Sequence, residues 1–536
     1  MTDRLRLSPR HRRILTSLLR EHLPDVEVWA YGSRVNERGH EGSDLDLVLR
    51  GPQLRKIPFE RLMDFEDSVR ESTIPFLVEA RDWARLPERF HREIEREYVV
   101  LVSSDTRWQE ARLGDVIRLV SGGTPSKKRE EYWNGAIPWV SARDMRRFRL
   151  RDTTHHVTAE GLANGTKQVP VGTILLLTRG MRLLKELPVC VTERPMAFNQ
   201  DIKALLPKTR MDPDFLPYLV LGNKQRLLNL VDLAGHGTGR INSDELRALD
   251  VRLPPTSEQR AIAHILSKLD DKIELNRRMS EALEMMARAL FRSWFVDFDP
   301  VRAKMNDRDT GFPQNIADLF PDRLMDSEMG QIPEGWHVAT LAERIEVNPR
   351  RSLRRGQTAP YLPMANMPTQ GHLPDAVAVR PFGSGMRFAN GDTLVARITP
   401  CLENGKTAYV DFLADGEVGW GSTEYIVLRP KPPLPNQFGY FLARSARFRE
   451  FATQNMSGTS GRQRVSPTAL RGFRMVAPPS RVAARFGEVA RSLFERVSKA
   501  SHESHTLAAL RDTLLPKLIS GKIRVGDADK AMEFIA

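Results

Sequence analysis

The sequence has 536 residues, of which 41% are hydrophobic and 28% are charged. This length and composition indicate about three globular domains and exclude a chain that is disordered throughout. The 81 lysine and arginine residues outnumber the 68 acidic residues and leave a net charge of +13. That excess favours a polyanionic partner, either nucleic acid or an acidic membrane surface.

The sequence offers little support for export or membrane insertion. Cys190 and Cys401 lie far apart and in no CxxC setting, so neither a disulfide framework nor a cysteine zinc site is expected. The longest uncharged apolar stretch, residues 169–178, is about half of the roughly 20 residues that a membrane helix needs. The first residues lack the apolar core of a signal peptide. We therefore expect a cytoplasmic protein with no membrane partner.

The first hundred residues place two carboxylates on one strand. An amphipathic helix over 10–22 precedes a strand that ends in Gly32-Ser33, and a second strand carries Asp44 and Asp46. Because side chains alternate along a strand, both aspartates share one face. Two such carboxylates favour a cation, and Mg²⁺ takes oxygen ligands together with substrate phosphates. Gly32 would let a triphosphate approach the backbone. The alternative is an ordinary edge strand with solvated acids.

The segment GSRVNERGHEGSDLDLVL resembles the signature of the minimal nucleotidyltransferase family, related to DNA polymerase beta. The resemblance runs from about residue 8 to 103. It implies a third acid on a neighbouring strand, which we match to Glu79, with Asp82 as the less favoured choice. It also implies that Asp44, Asp46 and Glu79 are catalytic and hold Mg²⁺, and that Gly32 and Ser33 bind a nucleoside triphosphate. The acceptor hydroxyl is not indicated.

An internal repeat occupies the remainder of the chain. WQEARLGDVIRL at Trp108 corresponds to WHVATLAERIEV at Trp336. Towards the ends of the two copies an offset of 224 residues holds without gaps, as between Pro254-Pro255 and Pro478-Pro479. The interiors diverge. The two units therefore share their terminal segments but differ in their interior sequences. This is expected of two domains that bind different targets on a common scaffold.

A long helical stretch follows each Pro-Pro pair. In the first stretch, residues seven apart form one predicted seam: Ile262, Leu269, Asn276, Leu283 and Leu290. Further apolar residues occupy the intervening heptad positions of the same seam: Ile265, Met279 and Met286. The second stretch repeats this spacing at the same offset: Phe486, Leu493, Ala500, Leu507, Leu514. Two helices of about 40 residues, each about 60 Å long, would pack on each other as an antiparallel coiled-coil spacer. The alternative is that each helix packs only on its own domain.

Basic and aromatic residues interleave inside the repeats, most densely in GGTPSKKREEYWNGAIPWVSARDMRRFRLRD. Such residues attract DNA phosphates, and arginine also reads base edges in the major groove. The alternative is a solvated charged face. The candidate DNA-binding residues are Lys127, Lys128, Arg129, Trp139, Arg143, Arg179, Arg182, Arg240, Arg350, Arg351, Arg354, Arg355 and Arg464.

Three separated motifs resemble the specificity subunit of type I restriction-modification enzymes: GGTPSKKREEYWNGAIPWVSARDM, GTGRINSDELRALDVRLPPTSEQRAIAHILSKLDDKIELNRR and LRDTLLPKLISGKIRV. The resemblance covers about residues 106 to 526. It implies two target-recognition domains, each followed by a conserved helix, that contact the two parts of a split site in double-stranded DNA. It also implies a non-catalytic chain. Two modification subunits would use S-adenosylmethionine to methylate adenine, and restriction subunits would use ATP to translocate and cleave DNA.

The second copy departs from the first, since no GGTPS follows Leu341 and APPSRVAAR replaces LPPTSEQR. Its recognition domain is therefore expected to belong to a different specificity class. The predicted fold is an α+β multidomain protein with a small α/β nucleotidyltransferase-like domain and two α/β target-recognition domains. We divide the chain into the nucleotidyltransferase-like domain 1–105, the first recognition domain 106–255, its helix 256–297, a connector 298–330, the second recognition domain 331–479, its helix 480–526 and a tail 527–536.

The leading hypothesis is a DNA-specificity subunit fused to a nucleotidyltransferase-like domain. A second hypothesis makes Mg²⁺-dependent nucleotide transfer to protein or nucleic acid the principal activity, delivered by the basic remainder. A third keeps the N-terminal domain as an inactive interaction module. An intact Gly32-Ser33 with Asp44 and Asp46 argues against complete loss of the transferase site.

Overall fold

The computed structural model describes residues 5–23, 26–35, 42–51, 54–102, 108–234, 237–459, 461–523 and 525. The predicted tail 527–536 and the predicted boundary at residues 105 and 106 lie outside these ranges. None of the helices in the described ranges is long and apolar enough to cross a membrane. The chain divides into two compact units, one of residues 1–268 with 511–536 and one of residues 269–510.

A four-stranded sheet with three helices forms the N-terminal region. Its elements are α1 (Pro9–His22), β1 (Glu27–Tyr31), β2 (Leu45–Arg50), α2 (Phe59–Arg70), β3 (Val78–Asp82), α3 (Glu88–Ile94) and β4 (Tyr98–Val102). The strand order is β3-β2-β1-β4, and β2 runs parallel to β3. Ser8 caps α1 by accepting a hydrogen bond from the backbone N–H of His11. The side chains of Leu45 and Leu47 on β2 are fully buried, which confirms the predicted burial of these two residues.

The first repeat contains two larger sheets, of orders β6-β15-β11-β13-β8 and β10-β14-β7-β9, beside the small sheets β12-β17-β16 and β18-β5. The bounds are β5 (Gln109–Arg112), α4 (Leu113–Val116), β6 (Ile117–Ser121), β7 (Trp133–Val140), β8 (Arg149–Leu150), β9 (His155–Val157), α5 (Ala159–Gly165), β10 (Gln168–Val169), β11 (Ile174–Leu177), β12 (Arg179–Gly180), β13 (Val189–Thr192), β14 (Met196–Phe198), β15 (Ile202–Pro207), α6 (Leu216–Gly222), α7 (Lys224–Leu228), β16 (Val231–Ala234), β17 (Thr238–Ile241), α8 (Ser243–Ala248) and β18 (Asp250–Leu253). The repeat leads into the long helix α9 (Thr256–Phe295).

The second repeat has the same frame with a different interior. Its larger sheets have the orders β22-β29-β26-β27 and β24-β23-β28-β25, and β21-β32 repeats the pairing of β5 with β18. The bounds are α10 (Asp299–Met305), α11 (Gln314–Ala317), β19 (Leu324–Ser327), β20 (Gly330–Pro333), β21 (His337–Thr340), α12 (Leu341–Arg344), β22 (Ile345–Val347), β23 (Thr358–Leu362), β24 (Ala378–Pro381), β25 (Met386–Phe388), β26 (Thr393–Ala396), β27 (Thr407–Tyr409), β28 (Gly419–Gly421), β29 (Tyr425–Pro430), α13 (Asn436–Arg444), α14 (Ala446–Gln454), β30 (Met456–Ser457), β31 (Arg464–Val465), α15 (Pro467–Arg471), β32 (Arg474–Ala477) and α16 (Ser480–Ile519).

The helices α9 and α16, of 40 residues each, pair with each other. Lys272 Nζ lies 3.4 Å from Glu503 Oε1, and Asn276 Nδ2 donates to the Ala500 carbonyl at 3.4 Å. Further along α9, the Phe291 ring packs on Phe486. The residue number therefore falls along α16 as it rises along α9, so the two helices run antiparallel, as the sequence predicts.

The predicted heptad seam does not continue to the end of α9. Leu269, Asn276 and Leu283 are buried, but Met286 is 60% exposed and Ala287 is buried instead. An α-helix repeats every 3.6 residues, so a seven-residue pattern drifts unless the helices supercoil. The last turns of α9 also enter the core of the second repeat, which covers a different face. The assignment of Met286 to the seam is wrong, and a regular coiled coil stays a prediction.

Each long helix ends in the domain of the other repeat. Phe291 of α9 packs on Phe438 and Phe441 of α13. Ile519 of α16 lies against α6, where a Cβ at Gly222 would come within 2.7 Å of the Ile519 side chain. The first and last parts of α9, and likewise of α16, therefore belong to different compact units, and the linear domain boundaries stay a prediction.

Candidate functional sites

The N-terminal carboxylates lie at adjacent register positions on the exposed face of the sheet. Asp46 of β2 is the register partner of Glu79 on the parallel strand β3 and of Tyr31 on the antiparallel strand β1. Side chains of register partners point to the same face. Asp44 is exposed and immediately precedes β2. The structure therefore brings Asp46 beside Glu79 and leaves Asp44 at the entrance of the strand.

Steric constraints explain why the first residue of the Gly32-Ser33 pair is a glycine. Gly32 has a φ of +78°, and a Cβ there would lie 2.5 Å from Asp46 Oδ2. Only glycine combines that backbone conformation with such an approach to the carboxylate. Ser33 follows in the single 3₁₀ turn 32–34. The turn thus lies against Asp46, where it offers the close backbone approach that a nucleotide phosphate would need.

Arg34, which the sequence reading did not single out, holds this turn in place. It is 2% exposed, and its guanidinium donates to the carbonyl oxygens of Ser43 and Arg6 at 2.7 and 2.8 Å. Its Cζ also lies 3.8 Å from the ring centroid of Phe76. Since Ser43 precedes Asp44, Arg34 links the Gly32 turn to the start of the aspartate strand.

The electrostatics of the site favour a cation beside Asp46. Partial burial raises the pKa of Asp46, and the charge of Glu79 raises it further, while Arg81 opposes both effects. Arg81 Nη2 lies 2.8 Å from Glu79 Oε2. The charge of Asp44 also raises the pKa of Asp46. Asp46 thus lies among acidic neighbours, and a cation beside it would relieve their repulsion.

All three groups offer carboxylate oxygens, which are the donor type that Mg²⁺ takes. The three carboxylates are not gathered into one cluster, however. Within the described ranges, the structure contains no group of three or more histidine, cysteine or acidic residues that could hold a metal ion.

Asp82, the alternative third acid, has a structural role. Its side chain is buried and accepts hydrogen bonds from the backbone N–H groups of Ile57 and Ala84 and from Arg85. Its register partner is Leu49, whose side chain lies in the core. Asp82 therefore faces away from Asp46, whereas Glu79 lies beside it, and the choice of Glu79 as the third acid stays a prediction.

Some candidate DNA-binding residues of the first repeat instead make hydrogen bonds and ion pairs within the protein. Trp139 is 5% exposed and donates its indole N–H to the Gly123 carbonyl at 3.0 Å. Arg129 donates to the Tyr132 hydroxyl at 2.9 Å. Arg182 is half-buried, donates to two backbone carbonyls and pairs with Glu186. These contacts position loops, and they leave the Trp139 ring unavailable for stacking on a base.

Other basic residues of the first repeat are exposed, and two of them face each other. Arg179 of β12 and Arg240 of β17 are register partners, so their side chains leave the same face of a small sheet. Like charges in that arrangement repel, and a bound anion would relieve the repulsion. The exposed loop residues Lys127, Lys128 and Arg143 belong to the same repeat.

The candidate arginines of the second repeat also divide into exposed residues and residues paired within the protein. Arg350, Arg354 and Arg355 are exposed. Arg351 instead pairs with the fully buried Asp392 at 3.0 Å. Arg464, the repeat counterpart of Arg240, pairs with Glu424 at 2.8 Å. Residue type and position in the sequence did not separate the exposed arginines from the paired ones, because the partners Asp392 and Glu424 are distant in the chain.

Comparison with known proteins gives two matches to family models. Residues 106–285 match the family described as "Type I restriction modification DNA specificity domain". Residues 11–101 match the family described as "Nucleotidyltransferase domain". The two matches follow each other along the chain in the order that the sequence motifs predict.

Relatives of both parts are known. The chain is 26% identical over 441 residues to the type I restriction enzyme MjaIX specificity subunit of Methanocaldococcus jannaschii, covering 78% of this chain and 94% of that protein. It is 32% identical over 160 residues to the type I restriction enzyme EcoR124I/EcoR124II specificity subunit of Escherichia coli, covering 30% of this chain and 40% of that protein. A third relative, "Probable protein adenylyltransferase MntA" of Haemophilus influenzae, is 36% identical over 89 residues, covering 16% of this chain and 75% of that protein. The chain is thus homologous to type I specificity subunits and carries a nucleotidyltransferase domain.

Proposed function

We propose that this homologue of type I specificity subunits is the DNA-recognition component of a restriction-modification complex. It would bind a bipartite DNA site and direct adenine methylation and cleavage by partner subunits. The observation that carries the proposal is the duplicated domain joined by antiparallel helices. The strand pair β5–β18 and helix α4 recur as β21–β32 and α12.

The different interiors of the two repeats support two different half-sites. The sheet that follows α4 has five strands, whereas the one that follows α12 has four. The exposed arginines also differ, since Arg179 and Arg240 face each other in the first repeat while Arg354 and Arg355 are adjacent in a loop of the second. Phosphate contacts of this kind fix orientation on DNA, and nearby side chains then read the bases.

The complex would be assembled in the cytoplasm from this chain, two modification subunits and restriction subunits. S-adenosylmethionine and ATP would be used by those partners and not by this chain. The proposed DNA contacts are the exposed Lys127, Lys128, Arg143, Arg179, Arg240, Arg350, Arg354 and Arg355.

Selection of bound duplexes from a random-sequence library tests the recognition role. The chain would be assembled with modification subunits encoded beside it, and the retained DNA sequenced. We expect two specified blocks separated by an unspecified spacer of fixed length. Retained DNA without a common sequence would contradict the proposal.

A second function, nucleotide transfer, is favoured by the register of Asp46 with Glu79 beside Gly32. Asp44, Asp46 and Glu79 would hold Mg²⁺, which would neutralise charge on the nucleotide phosphates. Gly32 and Ser33 would position those phosphates so that an acceptor hydroxyl attacks the α-phosphorus. The new P–O bond would form as the bond to pyrophosphate breaks, and the hydroxyl proton would leave to solvent. The relation to a protein adenylyltransferase favours ATP as donor and a protein hydroxyl as acceptor.

A further inference from the structure

Arg380 is an exposed arginine on strand β24 of the second repeat, and the candidates chosen from the sequence do not include it. Strand β24 lies at one end of the sheet β24-β23-β28-β25. Within the part of the chain that the structure describes, the Arg380 side chain has neither an ion pair nor a hydrogen bond. Its guanidinium is therefore available to a ligand.

Tyr361 of the neighbouring strand β23 holds the Arg380 guanidinium in one orientation. Tyr361 is the register partner of Ala378, so Arg380 is its diagonal neighbour on the same face of the sheet. Arg380 Cζ lies 4.9 Å from the centroid of the Tyr361 ring. A planar guanidinium that lies over an aromatic ring has its N–H donors already oriented, so it loses less conformational freedom when it binds.

Trp420 of strand β28 fixes this arrangement from beneath. Its ring centroid lies 4.3 Å from that of Tyr361, its register partner. Trp420 is 8% exposed, and its indole N–H donates to the Arg380 carbonyl at 3.4 Å. One buried residue thus supports both the backbone of Arg380 and the ring on which its side chain lies. Among the described residues, the exposed Arg354 and Arg355 have no such aromatic contact.

The loop 350–357, which carries three of the proposed DNA contacts, is bonded to the same end of β24. The Gly356 N–H donates to the Phe382 carbonyl at 2.8 Å, and the Phe382 N–H donates to the Gln357 carbonyl at 2.8 Å. Phe382 follows Arg380 by two residues. Contacts to phosphates position a protein on DNA, whereas contacts to bases give sequence specificity. Arg380 therefore lies beside the cations that would position the second repeat on the duplex.

We propose that Arg380 recognises a guanine in the half-site bound by the second repeat. Two of its N–H groups would donate to O6 and N7 of the guanine in the major groove. Of the four bases, only guanine presents two acceptors and no donor at that edge, so any other base would leave a guanidinium donor unpaired. The inference rests on the proposed function, because it takes a DNA site as the ligand.

A base matches this support better than a phosphate does. A phosphate pairs with a mobile point charge, and lysine serves there as well as arginine. A bidentate contact with a base edge instead requires a planar fork in a fixed orientation. Tyr361 and Trp420 provide that orientation for Arg380.

Selection of bound duplexes from a random-sequence library tests the inference, with the full chain assembled with modification subunits. Arg380→Ala removes the donors, and Arg380→Lys keeps the charge but loses the planar fork. Arg89→Ala, on an exposed position of α3, is the control for loss of one surface arginine. Circular dichroism of the free chains shows whether each variant is folded.

We expect the wild type and the control to specify a guanine at one position that both Arg380 variants no longer specify. The preference for guanine there should fall by about 10-fold or more. The other positions of that block and the whole of the second block should keep their preferences, which provides an internal control within each variant.

Two results would overturn the inference while leaving the recognition function in place. One is an unchanged motif in the folded Arg380→Ala variant. The other is weaker binding of Arg380→Ala to all duplexes with an unchanged motif and full recovery in Arg380→Lys, which would make Arg380 a phosphate contact. A wild type that selects no common sequence would instead overturn both the recognition function and this inference.

Discussion

Asn276 donates its side-chain N–H to the carbonyl of Ala500, which is its own counterpart at the 224-residue offset of the repeat. A residue can meet its repeat counterpart in this way when two equivalent helices run antiparallel about a local two-fold relation. Asn276 also donates to Glu503 at 2.7 Å. A buried asparagine at such a position selects the register in which its hydrogen bonds are made.

The helix pairing predicts that Leu283→Asp with Leu507→Asp prevents complex formation. Leu283 is 7% exposed on the inner face of α9, and a buried carboxylate without a partner is a large destabilisation, more than about 4 kcal/mol. Size-exclusion chromatography with the partner subunits measures assembly. Met286→Asp is the control on the same helix, since Met286 is 60% exposed. Normal assembly of the double variant would exclude the paired-helix account.

A buried ion network in the second unit is expected to make its stability depend on pH. His372 is 1% exposed, and its two ring nitrogens each lie 3.4 Å from a carboxylate, Nδ1 from Glu284 and Nε2 from Asp411. Burial alone would lower the pKa of His372, but Asp411 and Glu284 together raise it above its usual value. Ser498 of α16 donates to Asp411 at 2.6 Å. The network therefore links α9, the second repeat and α16.

The protonated histidine contributes stability that is fully present below its unfolded pKa of about 6.5 and is lost as pH rises through the higher folded pKa. We expect the unfolding temperature to fall between pH 6 and pH 9. His372→Gln should lower that temperature at pH 6 and reduce its pH dependence. Differential scanning calorimetry at several pH values checks this. His156→Gln is the control, because His156 pairs with the exposed Asp152 and not with a buried carboxylate. An unchanged pH dependence in His372→Gln would exclude the network as its source.

The two N-terminal aspartates should be needed for nucleotide transfer and not for DNA recognition. Asp44→Ala with Asp46→Ala removes two of the proposed metal ligands, and we expect transfer from α-labelled ATP to fall by more than about 100-fold. Site-specific DNA binding should be unchanged. Asp64→Ala with Glu71→Ala removes the same charge from exposed positions of the same domain. Loss of DNA recognition in the Asp44 and Asp46 variant alone would contradict separate roles for the two regions.

The facing arginines of β12 and β17 should contribute phosphate contacts. Arg179→Ala with Arg240→Ala is expected to weaken binding to specific and non-specific duplexes alike. It should also reduce the slope of log affinity against log salt by about two, one for each contact. Fluorescence anisotropy across a salt series measures both. Arg89→Ala with Arg92→Ala, on α3, should leave the slope unchanged, and an unchanged slope for the β12–β17 variant would remove this pair from the interface.

The sequence predicts the local and periodic features of this fold well. The repeat, the two 40-residue helices, their antiparallel pairing and the buried Leu45 and Leu47 follow from spacing and alternation. The contact of Ile519 with Gly222 does not, because it joins residues that share no local pattern. Burial of Trp139 and of Arg34 likewise depends on carbonyl acceptors brought together only by folding.

A methylation map of host DNA tests the recognition role most directly. The chain would be co-expressed with the modification subunits encoded beside it, and methylated adenines located by single-molecule sequencing. The account predicts methylation at one split motif that disappears when residues 106–536 are deleted and persists in the Asp44→Ala with Asp46→Ala variant. A folded complex that methylates no common motif would contradict the account and make nucleotide transfer the principal activity to examine.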